Sequence, residues 1–387
     1  MSSTNGLTRN DVALAYSPQL SELCDTVETL KKRTSMTFSL MQAYGLFGHV
    51  KVFKPTSASK EELAYFHSSD YVEFLHSSSE PNRNLELLER EGELEHGFGV
   101  GYDCPLFSSL YAYGTLVTGA SIQCADLLNK GEVKVSINLC GGWHHARRSQ
   151  AAGFCYFNDC VLSILKLRER YKRILYVDLD VHHGDGASVE EAFIASANVM
   201  TVSFHLLEPG FYPCSGDVTD FGVGRGKNYA VNVPLRRGLK DEQFIEILDQ
   251  ILPRLRTVFD PHAIVVQLGV DGLTGDPNQA FNLTPISYCV SLQRILALNM
   301  PCLLLGGGGY QPVNFAKCWA QLLSTAVGKS LVEDIPEHPF FPLYGPDFVL
   351  TIQGGSLPNA NSAEYLRGII YIIASRFPQL VDIFPSN

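Results

Sequence analysis

The sequence lacks the features that mark secreted, disulfide-stabilised and membrane-spanning proteins. Its ten cysteines include no CxxC pair, and a chain of 387 residues can bury a core without covalent cross-links. The polar segment 1–5 has no apolar signal-peptide region, and the longest aliphatic stretches, 263–270 and 368–374, are too short to cross a bilayer. We therefore expect reduced thiols, no membrane partner, and a location in the nucleus or cytoplasm.

Excess positive charge and nucleotide-binding loops are also missing. The 30 basic and 40 acidic residues give a net charge of −10, which disfavours direct binding to nucleic acid. No Lys-Ser or Lys-Thr follows the glycine run 306–309, and the glycines of 222–226 lack the dinucleotide-binding spacing. Internal repeats, heptads and long low-complexity tails are absent as well. The sequence thus favours a globular protein that does not bind phosphate through these loops.

Four apolar runs that end in glycine or polar residues predict strands of a parallel sheet. A helix that Asn158 and Asp159 can cap lies between the first two runs, which makes a βαβ unit. The runs are 133–139, 174–177, 263–270 and 302–305. Periodicity further predicts a helix over 35–46, an edge strand over 49–53 and a closing helix over 365–373.

The residues that follow these four strands decide the domain organisation. Ligands of open parallel sheets lie at the carboxyl ends of the strands, so the four polar segments would meet at one edge. A boundary drawn anywhere between 144 and 310 would cut that site in half. We therefore predict one α/β domain, with a mostly parallel central sheet and helices on both faces.

Three acids and two histidines occupy the eight residues from Asp178 to Asp185, directly after a strand. Alternation along an extended segment would put Asp178, Asp180 and His182 on one face, where a cation or a polar network must satisfy them. Asp180 and His182, joined by Asp271, would give a divalent metal two carboxylates and one imidazole. Three protein ligands leave a position for water or substrate, as in catalytic sites. Zinc and Fe(II) both accept this ligand set, and Asp271 alone is equally well explained as a solvated acid.

The adjacent pair His144 and His145 follows Gly-Gly-Trp at the end of another strand. A pair of adjacent histidines by itself more often consists of ordinary loop residues than of catalytic residues. Asp178 and Asp185 flank the metal ligands, however, and each could accept the second ring N–H of one histidine. Two histidine–aspartate dyads beside a metal-activated water favour general acid–base catalysis. Tyr310, which follows four glycines, could donate its hydroxyl to a developing oxyanion.

Five motifs together resemble the zinc-dependent histone deacetylases of class I. They are Gly142–Ala146, Gly153–Asp159, Asp178–Gly186, Gln267–Asp271 and Gly306–Tyr310. The likeness runs over 13–377, which it identifies as the catalytic domain, and leaves 1–12 and 378–387 as short terminal segments. It implies an arginase/deacetylase-like fold, and hydrolysis of the acetyl or other acyl amide of lysine in histones and other proteins.

The resemblance implies a role for each matching position. Asp180, His182 and Asp271 would bind zinc, and Tyr310 would stabilise the oxyanion. His145, oriented by Asp185, would be the general base and later the acid. His144, paired with Asp178, would act mainly through its charge.

The resemblance also implies substrate and cation sites. Phe154 and Tyr212 would wall a narrow tunnel for the lysine side chain, Gly153 would face it with its carbonyl, and Asp103 would bind the substrate backbone. Structural potassium would take one site at Asp178, Asp180, His182, Ser203 and Phe204, and a second at Phe193, Ser196, Val199 and Tyr229. Acetylated lysine peptides and histone tails would be the substrates, and zinc-chelating hydroxamates are expected to inhibit.

Two positions depart from the family pattern and leave the substrate open. Tyr212 stands where phenylalanine is common, and Asn278 replaces an apolar residue, so both add polarity to the tunnel. One alternative is an acetylpolyamine amidohydrolase of the same superfamily. Another is an inactive scaffold that binds acetyl-lysine, which the complete set of catalytic positions disfavours.

Overall fold

A single parallel sheet runs through the computed structural model, which describes residues 7–80, 83–94, 97–184 and 189–377. Every neighbouring pair of its strands is parallel, and the strand order is β2-β1-β3-β8-β7-β4-β5-β6. The strands are β1 Val12–Ala15, β2 Lys51–Phe53, β3 Val135–Asn138, β4 Ile174–Asp178, β5 Val199–Leu206, β6 Ala230–Leu235, β7 Ala263–Gln267 and β8 Cys302–Leu305. The predicted α/β class is therefore confirmed.

Helices cover both faces of the sheet, because its strands are apolar on both sides. Along β4, Leu175 and Val177 enter one core cluster, whereas Ile174 and Tyr176 enter the other. The described helices are α1 Pro18–Asp25, α2 Arg33–Ala43, α3 Lys60–Leu63, α4 Ser69–Ser78, α5 Leu85–Leu94, α6 Leu110–Asn129, α7 Asp159–Leu167, α8 Val189–Phe193, α9 Asp241–Phe259, α10 Pro285–Leu296, α11 Pro312–Ala326 and α12 Ala363–Ser375. This two-sided burial is typical of parallel sheets.

The strand order brings the predicted site together at the centre of the sheet. The chain forms β3, skips two places to form β4, and later fills the gap with β7 and β8. The strands β3, β8, β7 and β4 are therefore consecutive neighbours. Their carboxyl ends lead into the loops that carry the histidine pair, the tetraglycine run and the acidic residues.

Several element boundaries differ from those that the sequence predicts. The helix predicted over 35–46 is α2, which ends at Ala43 because Gly45 adopts a left-handed conformation with φ of 70°. The strand predicted to reach 270 ends at Gln267. Beyond that residue, Leu268 N donates to Leu305 O and Gly306 O, and Val270 N donates to Gly308 O in the glycine run. The edge strand is β2, the closing helix is α12, and the Asn158 side chain caps α7 by accepting from Val161 N at 2.9 Å.

The cysteines agree with the expectation of reduced thiols. All ten cysteines are free thiols, and eight of them are buried. Within the described ranges, no helix combines the length and the apolar character needed to cross a membrane.

Candidate active site

Two loops bring three candidate metal ligands to one point. Asp180 and His182 follow β4, and Asp271 follows β7, so their loops leave adjacent strands. One ligand atom from each residue lies within 4.8 Å of the other two. His182 Nδ1 is 3.0 Å from Asp180 Oδ1 and 2.9 Å from Asp271 Oδ2.

The loop after β4 is held by its own carboxylates, not by strand alternation. Because β4 ends at Asp178, alternation of an extended chain does not reach Asp180 and His182. Instead, Asp178 Oδ1 accepts from Asp180 N at 3.2 Å, and Asp180 Oδ1 accepts from His182 N at 3.0 Å. The chain therefore bends after Asp178, and the carboxylates of Asp178 and Asp180 bind different partners.

Each metal-facing carboxylate is anchored through its other oxygen. Asp180 Oδ2 accepts from Gln267 Nε2 at 2.9 Å and from Gly308 N at 2.8 Å. Asp271 Oδ1 accepts from Val181 N at 3.0 Å. These bonds leave Asp180 Oδ1 and Asp271 Oδ2 directed at His182, just as hydrogen bonds to ligand carboxylates orient them in metal centres.

The chemistry of this donor set fits a divalent cation. Burial and the neighbouring Asp180 charge raise the pKa of Asp271 to about 7. Burial opposes the charged forms of Asp180 and His182 too. The charge of His144 and the bond to His182 nevertheless hold the pKa of Asp180 well below its usual range, and the bonds to Asp180 and Asp271 raise the pKa of His182 to about 10. Protons on His182 and Asp271 thus offset the negative charge of two buried carboxylates. A bound metal ion would offset that charge directly.

Glycines let the carboxylates come this close to the backbone. A Cβ on Gly308 would lie 2.4 Å from Asp271 Oδ2, and one on Gly269 would lie 2.0 Å from Asp180 Oδ2. Gly269 and Gly308 therefore make room for the carboxylates of Asp180 and Asp271.

His144 is a buried, charged histidine. Its Nδ1 lies 2.7 Å from Asp178 Oδ2, the oxygen to which Tyr176 Oη also donates at 2.7 Å. Burial opposes the charge of His144, but Asp178 and Asp180 outweigh it and raise the pKa to about 9. His144 therefore carries a positive charge at neutral pH.

His145 is buried and neutral. Burial first, and then the charges of His144 and His182, hold the pKa of His145 well below its usual range. Its ring centroid lies 4.0 Å from that of His144 and 5.8 Å from that of His182. Among the described residues, nothing pairs with its buried Nδ1. The predicted partner Asp185 lies outside the described residues.

Tyr310 supplies a neutral hydroxyl beside the ligands. Burial and the Asp271 and Asp180 charges raise the pKa of Tyr310 well above its usual value. Its backbone N donates to Asp276 Oδ2 at 2.7 Å, which fixes the end of the glycine run. A phenol that stays protonated can donate a hydrogen bond to a developing negative charge.

Aromatic rings and one glycine surround the histidines. Phe154 meets Tyr310 edge to face with centroids 5.7 Å apart, and Tyr212 meets His145 in the same way at 5.0 Å. A Cβ on Gly153 would lie 2.6 Å from His145 Cδ2, so this backbone packs directly on the ring. Asp103 Oδ2 accepts from Gly153 N at 2.9 Å.

Asn278, predicted to add polarity to the tunnel, contacts one of the three candidate metal ligands. Its Nδ2 lies 3.5 Å from Asp271 Oδ2, and its backbone N donates to Asp276 Oδ1 at 2.9 Å. Of the other predicted tunnel residues, Gly153 and Tyr212 pack against the ring of His145. The substrate roles of all five positions stay predictions.

Two residues of the site, Arg33 and Phe211, were not predicted from the sequence. Arg33 is buried and donates from Nη1 to Gly307 O at 3.0 Å and to Gly309 O at 2.9 Å. Phe211 stacks on His182 with centroids 5.0 Å apart and planes inclined by 9°. Arg33 lies in a run of basic residues, which is typical of a solvated surface. No signal in the sequence indicates that Phe211, and not its neighbour Tyr212, stacks on His182.

The potassium assignments stay predictions, and the structure gives hydrogen bonds for some of their oxygens. Ser203 Oγ lies 2.9 Å from His205 Nδ1 in the first proposed set. In the second set, Phe193 O accepts from Ser196 N at 2.7 Å, and Tyr229 O accepts from Thr201 N at 2.9 Å. Carbonyl oxygens keep a second lone pair after such bonds.

Comparisons with known proteins agree with this geometry. The model of the histone deacetylase domain matches residues 28–326. The chain is 45% identical to histone deacetylase 8 of Xenopus tropicalis over 369 residues, which cover 95% of this chain and 97% of the relative. It is 44% identical to histone deacetylase 8 of Danio rerio, with 96% of each chain covered. It is 41% identical to histone deacetylase 1 of Homo sapiens, with 87% of this chain and 68% of the relative covered.

Proposed function

The chain belongs to the histone deacetylase family and is a metal-dependent lysine deacetylase, and we propose that zinc is its metal and His145 its general base. The observation that carries this proposal is the convergence of Asp180, His182 and Asp271 beside one neutral and one charged histidine. Two oxygens and one nitrogen suit zinc and leave a position for the substrate. Fe(II) would accept the same ligands.

A bound metal would supply Lewis acidity to the amide carbonyl and to a water molecule. The protein's own groups would then move the protons. His145, neutral and close to the ligands, accepts the proton of the attacking water and returns it to the lysine nitrogen. His144 stays charged beside it, and the Tyr310 hydroxyl donates to the oxyanion.

Asp185 completes this proposal as the partner of His145 Nδ1. The support is that this nitrogen is buried and unpaired among the described residues. An imidazole that acts as a base through Nε2 needs an acceptor at Nδ1 to fix its tautomer. Asp185→Asn should lower kcat while the metal content stays unchanged.

The substrate reaches this centre between aromatic rings. Phe154 and Tyr212 would enclose the methylenes of an acylated lysine, Gly153 would present its carbonyl and Asp103 would bind the peptide backbone. Acetylated histone tails are the proposed natural substrates. Since hydroxamates chelate zinc through two oxygens, they should inhibit by displacing water and substrate from the same position.

The remaining proposals concern ions and location. The two oxygen sets around Ser203 and around Phe193 are proposed potassium sites, and potassium should raise the melting temperature more than an equal concentration of choline. Segment 13–377 is the proposed catalytic domain, acting in the nucleus and cytoplasm.

An acyl-substrate panel tests the proposed function. Acetyl-lysine and longer acyl-lysine peptides are compared with acetylspermidine as substrates of the purified protein. We expect acetate release from the acetylated peptide with the larger kcat/KM. Faster release from acetylspermidine would assign the site to polyamine amides instead.

A further inference from the structure

A buried dipeptide, Asn158 and Asp159, lies at the start of α7 and faces the loop that carries both histidines. Neither residue has any exposed surface. Asn158 caps α7 through Oδ1, which accepts from Val161 N at 2.9 Å. Helix capping uses only this oxygen of the Asn158 side chain. The Nδ2 of Asn158 and the carboxylate of Asp159 can therefore bind other groups.

The Asp159 carboxylate holds the beginning of the histidine loop. It accepts from Trp143 N at 2.8 Å and from Gly142 N at 2.9 Å, and Ser121 Oγ donates to it at 2.5 Å. A Cβ on Gly141 would lie 2.3 Å from Asp159 Oδ2. The carboxylate therefore sits directly against the backbone that leads to His144.

The Asn158 amide holds the end of the same loop. Its Nδ2 donates to His144 O at 3.2 Å and to Ala146 O at 2.9 Å. His145 lies between these two carbonyls. The donors at the start of the loop and the acceptors at its end are thus bound by adjacent side chains of one helix terminus.

We infer that Asn158 and Asp159 are positioning residues for the catalytic histidine pair. They touch neither the reacting atoms nor the metal ligands, and they act by fixing the backbone on both sides of His145. The contact with Asp178 orients the ring of His144. The position of His145 relative to the candidate metal ligands depends instead on the backbone that Asn158 and Asp159 hold. A displacement of about 1 Å at a reacting group lowers rates by about 10²-fold. The inference rests on the proposed role of His145.

Two substitutions at Asn158 separate capping from positioning. Asp and Ser cap helices about as well as Asn, but neither offers the two Nδ2 donors. Asn158→Asp places an acceptor against the carbonyls of His144 and Ala146, and Asn158→Ser removes the donors without adding a charge. We expect kcat to fall about 10- to 100-fold in both variants, with KM within about twofold and unchanged metal content.

Ser163→Ala is the matched control. Ser163 lies on the same helix, is equally buried, and donates to Asp159 O at 2.6 Å, but it does not contact the histidine loop. Its loss should lower the melting temperature as a buried hydrogen bond does, and leave kcat unchanged. Because one Asn158 variant could fold poorly, kcat is normalised to the folded fraction measured by circular dichroism.

The outcomes separate this inference from the proposed function. Wild-type kcat in both Asn158 variants, or losses equal to that of Ser163→Ala at equal melting temperature, would overturn the positioning role. His145→Ala is measured in parallel. If it retains full activity, the base assignment and the positioning inference both fall, whereas an inactive His145→Ala beside fully active Asn158 variants overturns only the positioning inference.

Discussion

His144 and His145 are neighbours in sequence with ring centroids 4.0 Å apart, yet their surroundings make one ring positively charged and the other neutral. Asp178 and Asp180 overcome burial at His144 and raise its pKa to about 9. Burial, aided by the charge of His144, holds the pKa of His145 far below its usual value. Two carboxylates therefore give two identical side chains different charges, which suits the proposed roles of His144 as a fixed charge and His145 as a base.

Substituting each histidine tests this division. His145→Ala should lower kcat by about 10²–10⁴-fold, because it removes the group that accepts a proton. His144→Ala should cost less, because a residue already protonated at neutral pH contributes charge only. Acetate release from an acetyl-lysine peptide measures both, with metal content as the control. Equal losses in the two variants would contradict the division.

Tyr310→Phe tests the oxyanion contact. It removes one hydroxyl from a buried position, so kcat should fall by about 10²–10³-fold while KM changes little. The Tyr310 backbone bond to Asp276 is unaffected by this change, and the glycine run should keep its conformation. Full activity of this variant would refute the role of the hydroxyl.

Arg33→Met tests the support of the glycine run. The change leaves Gly307 O and Gly309 O buried without their donor, and each loss costs about 1–3 kcal/mol. The free energy of unfolding in urea should fall by about 2–5 kcal/mol. Lys31→Met is the control, because Lys31 makes an exposed ion pair with Glu28 that contributes at most about 1 kcal/mol. Equal effects at Arg33 and Lys31 would contradict the account.

His67 predicts a pH dependence of stability. Burial lowers the pKa of His67 to about 4, although its bond to Arg148 O favours the protonated form. Its Nε2 accepts from Asn158 N at 3.0 Å, so the fold requires the neutral ring. Because the folded pKa lies below the unfolded one, this stability is complete above about pH 6.5 and is lost as the pH falls toward 4.

The measurement is urea unfolding at pH 7.5 and pH 5. At pH 5 the wild-type protein should have lost about 2 kcal/mol through His67, and His67→Gln should not show this loss. His262→Gln, which removes an exposed imidazole, serves as control. A pH slope that is the same in all three proteins would rule out His67 as the cause.

The sheet and the convergence of Asp180, His182 and Asp271 could be predicted because their signals are local. Apolar runs that end in acids or glycines mark strand ends, and parallel pairing brings those ends to one edge. The buried state of Arg33 could not be predicted, since its basic neighbours Lys31 and Lys32 are exposed and only the packing of α2 distinguishes it. The Asn158 cap was predictable, but its bonds to His144 O and Ala146 O depend on how the loop returns to α7.

The most direct test of the central claim combines metal analysis with chelation. The purified protein should contain one divalent ion per chain, lose acetyl-lysine hydrolysis when a chelator removes that ion, and regain activity when zinc is restored. Asp271→Asn should bind the ion more weakly and lose activity in parallel. Full hydrolysis by the metal-free protein would contradict the claim that Asp180, His182 and Asp271 hold the catalytic metal.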